Sequence, residues 1–426
     1  MEAPFSRLYR LWVLALFLFV ATFGFVDRII VQILVQPIKA ELHVSDAQMG
    51  LLGGLTFAVL YVLLSIPIAR LAERKSRIAI ASIGTALWSV ATAACGVASG
   101  FGQLLLARIG VGIGEAAGAP ATVSIIADYF APLRRASAMA IYGLAVPLGA
   151  FLGGAVGGLI ALHWGWRAAF LCAGLPGLAL AALQWATVRE PPRGYYDPAG
   201  AAEAAPPFSA VLRRFQARPS LIQFLVGATL STIAGYGANY FVAAYLARRF
   251  GLDYAQAGLV IGLVSSVPAA LSIAAGGFLA DWAGKRNARW YALIPGLGAA
   301  LTAPLYVCAF QADTWIVATA FLTLTAMCQY AYIPAAAAVT QNMMEPRMRA
   351  SASAVTGLIY TLLGQGLGPL IVGALSDRFG LQTALTLCAL LYLWSAAHLA
   401  LASRTLGRDL QSAPFTPPAQ RALHLR

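Results

Sequence analysis

The chain has 426 residues, 60% of them hydrophobic and 11% charged, with a mean hydropathy of +0.75 and a formal net charge of +13. Soluble domains carry about 25% charged residues, so this chain cannot cover a water-facing surface and must be solvated largely by lipid. Five cysteines without a CxxC pair exclude a disulfide framework and read as small buried hydrophobes, and the four scattered histidines form no metal-ligand cluster.

A run of about 20 apolar residues suffices to cross a bilayer as a helix. Twelve such runs follow one another, near 11–36, 48–69, 78–98, 103–126, 137–161, 167–187, 219–246, 256–280, 288–309, 314–337, 351–375 and 381–402. The first follows Arg7 and Arg10 but is too long for a signal peptide and lacks a cleavage site, so it reads as an uncleaved first helix. The expected fold is an all-α integral membrane protein of twelve transmembrane helices in two six-helix bundles, 1–187 and 219–403. A linker, 188–218, joins them and a tail, 404–426, follows.

The first span contains "FVDRII", with Asp27 and Arg28, and the fourth contains "ARIGVGIGEAAGAPA", with Arg108 and Glu115. The glycines invite a nucleotide-loop reading, but a dinucleotide fingerprint needs a strand before it and its acid about 20 residues later. Here Glu115 follows at once, inside an apolar helix. Arg108 and Glu115 lie seven residues, or about 10.5 Å, apart on one helical face. Four charges facing lipid would cost roughly 10–14 kcal/mol, so they must face one another or a water-filled cavity, with Asp27 expected near Arg108 or Glu115. Asp27 and Glu115 are the proton-coupling candidates, because burial and a nearby arginine act oppositely on a carboxyl. Arg108 is the anion-binding candidate, with Arg28 beside it.

Basic residues are concentrated in one alternate set of loops, including Arg7, Arg10, Arg70, Arg74, Lys75, Arg77, Arg134, Arg135 and Arg213. The other set holds only Lys39, Arg167, Arg248, Arg249 and Arg378. By the positive-inside rule both termini are expected in the cytoplasm, so the basic excess reflects topology and not nucleic-acid binding. The linker contains "FSAVLRRFQARPS", expected as a short interfacial helix with Phe208, Leu212 and Phe215 on its lipid side.

The second half supplies polar and aromatic cavity candidates: Tyr236, Asn239, Tyr240, Gln329, Tyr330, Tyr360 and Gln365. An internal repeat relates the halves. "ARLAERKSR" (69–77) matches "GFLADWAGKR" (277–286) at an offset of 208, and "PLRRASA" (132–138) matches "PRMRASA" (346–352) at an offset of 214. Such repeats are common in secondary transporters. At these basic loops Glu73 is expected to pair with Arg77 or Arg135, and Asp281 with Arg286 or Arg349, with Gly277 allowing close helix contact.

"GFLADWAGKR", "HWGWRAAFLCAGLPG" (163–177) and "GALSDRFG" (373–380) resemble phrases of the major facilitator superfamily over nearly the whole chain. "FVDRII" with "RIGVGIGEAAGAP" resembles the Spinster-like branch, although the same elements recur in symporters for sugar acids and other organic anions. The resemblance implies an alternating-access secondary transporter, proton-coupled, moving an amphipathic anionic or lysolipid-like substrate. The alternatives are a proton symporter for small organic acids and, third, a drug/proton antiporter. No enzyme constellation, cofactor or nucleic-acid partner is expected, and the protein should act as a monomer in a bacterial inner membrane.

Overall fold

The structure, a computed structural model, describes residues 5–193, 195–196, 208–345 and 348–411, and among them all regular structure is helical. Among the described residues eleven helical runs are long and apolar enough to cross a membrane. The first four are α1 (Arg7–Ile33), α2 (Asp46–Arg74), α3 (Arg77–Cys95) and α4 (Phe101–Tyr129). The fifth run, Ser137–Thr187, has 51 residues, or about 77 Å of helix at 1.5 Å per residue, against a hydrocarbon core about 30 Å thick. It breaks at Gly165, which adopts φ 81° and ψ 167°, a backbone conformation that only glycine reaches cheaply. Two crossings result, α5 (137–164) and α6 (166–187). The rest are α7 (Pro219–Phe250), α8 (Tyr254–Gly284), α9 (Trp290–Gln311), α10 (Trp315–Met343), α11 (Ser351–Phe379) and α12 (Leu381–Leu410).

The repeat seen in the sequence is also present in the backbone. Ser45 and Gln48 form a capping box at the start of α2, and Asp253 and Gln256 form another at the start of α8, 208 residues on. The turn before each box has a left-handed residue, His43 (φ 52°) in the first case and Gly251 (φ 70°) in the second, again 208 apart. Gly165 has its counterpart in Gly380 (φ 82°) between α11 and α12. Both α5 and α11 contain a π-helical stretch, Leu152–Val156 and Tyr360–Leu367.

The chain divides into two compact units, Met1–Ala202 with Tyr240–Ser266, and Glu203–Asn239 with Val267–Arg426. In the first unit α3 and α4 meet through small residues. A Cβ on Gly114 would lie 2.5 Å from the Trp88 backbone nitrogen and 2.8 Å from the Gly84 oxygen. The glycines of the fourth helix are therefore a packing face. Gly154 likewise meets Gly258 of α8, where a Cβ would approach the partner backbone to 2.5 Å.

The short linker helix Phe208–Gln216 departs from expectation. Val211 and Phe215 are buried in the core of the second unit with Leu221, Phe224 and Leu406, and Leu212 is exposed. This helix docks by the Val211–Phe215 side, since these two, four residues apart, share a face. The side chain of Phe208 lies outside the described residues. The cysteines also divide: Cys95 and Cys388 are buried, but Cys172 and Cys308 are exposed on spanning helices, so only the former act as core residues.

Gly114→Ala should force backbone apart at the α3–α4 crossing, a cost of about 1–3 kcal/mol for overpacking. Gly102→Ala, where nothing lies within 4 Å, should be neutral. Melting temperatures of the two variants in detergent check this: equal values would show that the α3–α4 crossing is not tight.

Candidate functional site

Asp27 and Arg28 are neighbours on α1, so their side chains diverge by about 100° around the helix. Each meets a different charge of α4. Arg108 Nη1 donates to Asp27 Oδ2 at 2.7 Å, and Thr92 donates to Asp27 Oδ1 at 2.7 Å. Both ends of this pair are sealed, with Asp27 0% and Arg108 2% exposed. Arg28 donates through Nε (2.9 Å) and Nη2 to Glu115 Oε2. Its guanidinium sits 4.8 Å from the Phe57 ring centre and 5.4 Å from that of Phe25. This second pair is open: Arg28 is 28% exposed and Glu115 9%. Glu115 Oε1 is buried and accepts no hydrogen bond.

Arg28 and Glu115 line a cavity of about 340 Å³ in the first unit, walled by Phe17, Phe25, Trp88 and Val146, with Tyr61 and Tyr142. The aromatic walls gave no distinct signal in the sequence, because a ring in a spanning helix is equally a packing residue. Thr92 gave no signal either, because a threonine in a spanning helix ordinarily bonds its own backbone.

A second cavity of about 350 Å³ lies in the second unit, lined by Thr232, Tyr236, Tyr332, Thr356 and Tyr360, among others. It is the repeat of the first. The offset of 208 carries Gly24 and Arg28 to Thr232 and Tyr236. The offset of 214 carries Gly118, Tyr142 and Val146 to Tyr332, Thr356 and Tyr360. Glu115 itself maps onto Gln329, so the charged pair of the first unit corresponds to uncharged Tyr236 and Gln329 in the second. Tyr332 and Thr356 emerge as cavity residues only once the structure shows their counterparts Gly118 and Tyr142 in the first cavity.

The remaining candidates of the second half are scattered. Gln329, Tyr330 and Asn239 belong to a buried network. Asn239 donates to the Tyr330 hydroxyl at 3.0 Å, and Tyr306 lies 3.0 Å from both Asn239 Oδ1 and Gln329 Oε1. Tyr392 also donates to Gln329, at 3.1 Å. Tyr240 belongs to the first unit, where its hydroxyl donates to the Met49 carbonyl at 2.8 Å. Gln365 is half-buried on the π-helical stretch that begins at Tyr360.

At the Arg-rich end of the first unit the expected pairs do not form. Glu73 is exposed, and Arg77 is buried in a different network: Asp128 Oδ2 at 2.5 Å, Glu190 Oε1 at 2.7 Å, Ser124 at 2.9 Å and the Pro191 carbonyl at 3.0 Å. The reason is position. Arg77 opens α3 and points inward, whereas Glu73 ends α2 at the surface, so Asp128 and Glu190 reach Arg77 first. Arg135 does not pair with Glu73 either. Arg193 of the linker caps α2, donating to the carbonyls of Ala72 (2.8 Å), Glu73 and Lys75 (2.6 Å). In the second unit Asp281 accepts from the Tyr291 hydroxyl at 2.8 Å, Arg286 stacks 4.4 Å over the Trp282 ring, and Arg349 donates to the Gln341 carbonyl. Asp281 therefore pairs with neither arginine. Gly277 packs against Pro334, and Gly284 accommodates the Tyr291 ring that holds Asp281.

At the other end of the first unit three of the few basic residues, Lys39, Arg167 and Arg248, are engaged with acids. Arg248 grips Asp46 through two nitrogens at 2.6 and 2.7 Å, and Lys39 reaches the same carboxylate at 2.8 Å. Arg167 and Trp166 clamp Glu41 at 2.5 and 2.6 Å, which explains the "GWR" triplet. These two hydrogen bonds, from Trp166 first and Arg167 second, hold the Glu41 carboxyl below the ordinary carboxylate range.

The comparisons with known proteins agree with this architecture. The family model of the Major Facilitator Superfamily matches residues 16–369 and again 260–422. The chain belongs to this superfamily. An MFS-type efflux pump of Mycolicibacterium smegmatis is 33% identical over 359 residues, 84% of this chain and 82% of the pump. A hexuronate transporter of Bacillus subtilis is 27% identical over 64% of this chain and 65% of its own length. The crystal structure of a bacterial homologue of the human lysosomal transporter Spinster, inward-facing and unoccupied, superposes with a TM-score of 0.87 at 32% identity, covering 95% of this chain and 99% of that one. The protein is thus a Spinster-like, multi-pass membrane transporter of small substrates.

Removing one partner of a sealed ion pair leaves the other charge buried alone, at about 3–5 kcal/mol. Asp27→Ala should therefore lower the detergent melting temperature far more than Glu115→Gln, and similar losses would show that the two pairs are equally sealed. Acid should act at Glu190. Burial raises this carboxyl, but hydrogen bonds from Arg77, the Ile78 N–H and Ser76 overcome that and hold it below its ordinary value. Its stabilisation is present at neutral pH and is lost as pH falls below about 4. The melting-temperature difference between wild type and Glu190→Gln should be largest at neutral pH and vanish in acid.

Proposed function

We propose that the protein is a proton-coupled transporter of an amphipathic anion, with Arg28 holding the anionic head and Glu115 carrying the proton. The supporting observation is the open Arg28–Glu115 pair on a largely apolar cavity wall, with Glu115 Oε1 buried and unbonded. A proton on Oε1 neutralises the carboxylate and frees Arg28 for another anion. When the proton leaves, the carboxylate reclaims the arginine and expels that anion. Proton and anion therefore favour each other's binding, and linkage makes the effect reciprocal. Coupling of this sign drives both in the same direction.

Asp27 and Arg108 have a different role in this reading. With both Asp27 oxygens bonded and Arg108 enclosed, the pair fixes α1 against α3 and α4 and takes no part in substrate exchange. The phenyl and indole walls suit an apolar portion of the substrate next to its charge. The tyrosine-lined cavity of the second unit offers hydroxyls and rings but no charge. An arginine beside the ligand disfavours cationic drugs. We further propose that the Arg-rich end is cytoplasmic, with both termini inside and the chain in a bacterial inner membrane as a monomer, since basic residues at the other end are few, and Lys39, Arg167 and Arg248 among them are acid-paired. The bundles 1–187 and 219–403, joined by the linker 188–218, are taken as the moving parts.

Purified protein in liposomes under an imposed pH gradient tests the coupling. A fluorescent lysolipid should move down the proton gradient in wild type. Glu115→Gln should abolish the gradient dependence, Arg28→Lys should raise the half-saturating substrate concentration at least tenfold, and the surviving folded fraction of Asp27→Asn should keep its gradient dependence. Movement of a labelled sugar acid alone would assign the protein to small organic acids, as for the hexuronate relative. Full gradient dependence in Glu115→Gln would overturn the proton role.

A further inference from the structure

A second basic site lies outside the cavity, where the start of α1 meets the segment leading into α5. A groove of about 300 Å³ is bordered by Arg7, Arg10 and Arg134, with Ser137 among them. Its floor is apolar, formed by buried Leu14 and Phe130. Among the described residues none of the three arginines forms an ion pair, and Arg10 Nε is buried without a hydrogen-bond partner. Arg7 and Arg134 are exposed and Arg10 is half-buried, whereas the buried arginines of this unit, Arg77 and Arg108, each hold a carboxylate. Three guanidiniums around one groove repel one another, and α1 adds the positive end of its dipole there. Among the described residues the arrangement lacks an anion.

The depth of the groove identifies the kind of anion. Leu11 and Ile141, on its rim, are 44% and 40% exposed although both lie on apolar helices. Trp12, one residue on, is also exposed and bonds through Nε1 to Thr187 at 3.1 Å. Indoles held in this way mark the membrane–water interface. The charged part of the groove therefore sits at headgroup level, and its apolar rim continues toward the hydrocarbon. We propose that the groove binds an anionic phospholipid, with the phosphate among Arg7, Arg10 and Arg134 and an acyl chain along Leu11 and Ile141. A zwitterionic lipid would bring an ammonium group into the same three-arginine field. The assignment depends neither on the transported substrate nor on which side of the membrane this end faces.

Native mass spectrometry of the full-length protein in detergent tests the site, titrating phosphatidylglycerol against phosphatidylcholine of the same chain length. The expected result is at least a tenfold preference for phosphatidylglycerol, at about fivefold per arginine near the surface. The preference should fall with salt and disappear in an Arg10→Gln/Arg134→Gln variant. Ser137→Glu places a carboxylate among the arginines at an exposed position, so it should also abolish the preference without unfolding the protein. Equal binding of the two lipids by wild type would overturn the proposal, as would a preference unchanged in Ser137→Glu. Inorganic phosphate forms a separate arm: displacement of phosphatidylglycerol by millimolar phosphate would show that the groove holds a free anion and not a lipid.

Discussion

Charge buried in a lipid-solvated helix must be neutralised within the protein, and in this chain that requirement organises the first unit. α1 and α4 each carry an acid and an arginine inside apolar spans, and each arginine finds the acid of the other helix. The geometry is uneven. Asp27 and Arg28 are consecutive, whereas Arg108 and Glu115 are about 10.5 Å apart along α4, so both arginines must extend along the interface to reach their acids. The small-residue face of α4 permits this, because Gly114 and Gly110 bring α3 close and leave the charged face toward α1. Packing and charge on α4 are therefore one design on two sides of one helix.

The duplicated architecture carries different chemistry in its two halves. Capping boxes, left-handed turns and cavity walls recur at fixed offsets, and these are the features that determine where helices start, turn and leave space. The chemistry at equivalent positions has diverged. Arg28 corresponds to Tyr236 and Glu115 to Gln329, so one cavity carries an ion pair and the other carries hydroxyls. The backbone signals that build a six-helix unit are independent of the few cavity side chains that differ between the halves.

Twelve spans were readable because a lipid solvent demands long apolar runs, and even the 51-residue helical run resolves into two at Gly165. The presence of partners for Asp27, Arg28, Arg108 and Glu115 was readable from their cost. Which acid would meet which arginine was not, because a one-residue step on α1 turns a side chain by about 100° and nothing in the local sequence states the helix rotation. The pairs at the Arg-rich end were misread for a related reason. Proximity in sequence favoured Glu73 with Arg77, but the inward start of α3 brings Arg77 to Asp128 and to Glu190, 113 residues on.

A carboxylate can couple proton and substrate only if it is neither fully satisfied nor fully solvated. Asp27, with both oxygens bonded, would have to break two hydrogen bonds and expose a buried guanidinium before its protonation affected anything outside the pair. An acid open to bulk water would exchange protons without regard to the ligand. Glu115 lies between these limits: one oxygen holds Arg28, and the other is buried with no partner beside a cavity. The adjacent sealed pair keeps it so, because Asp27 pins α1 at the residue preceding Arg28. That anchor limits how far the arginine can swing when its carboxylate is neutralised. In the proposed coupling the sealed pair only positions α1, and the exchange between proton and anion belongs to the open pair.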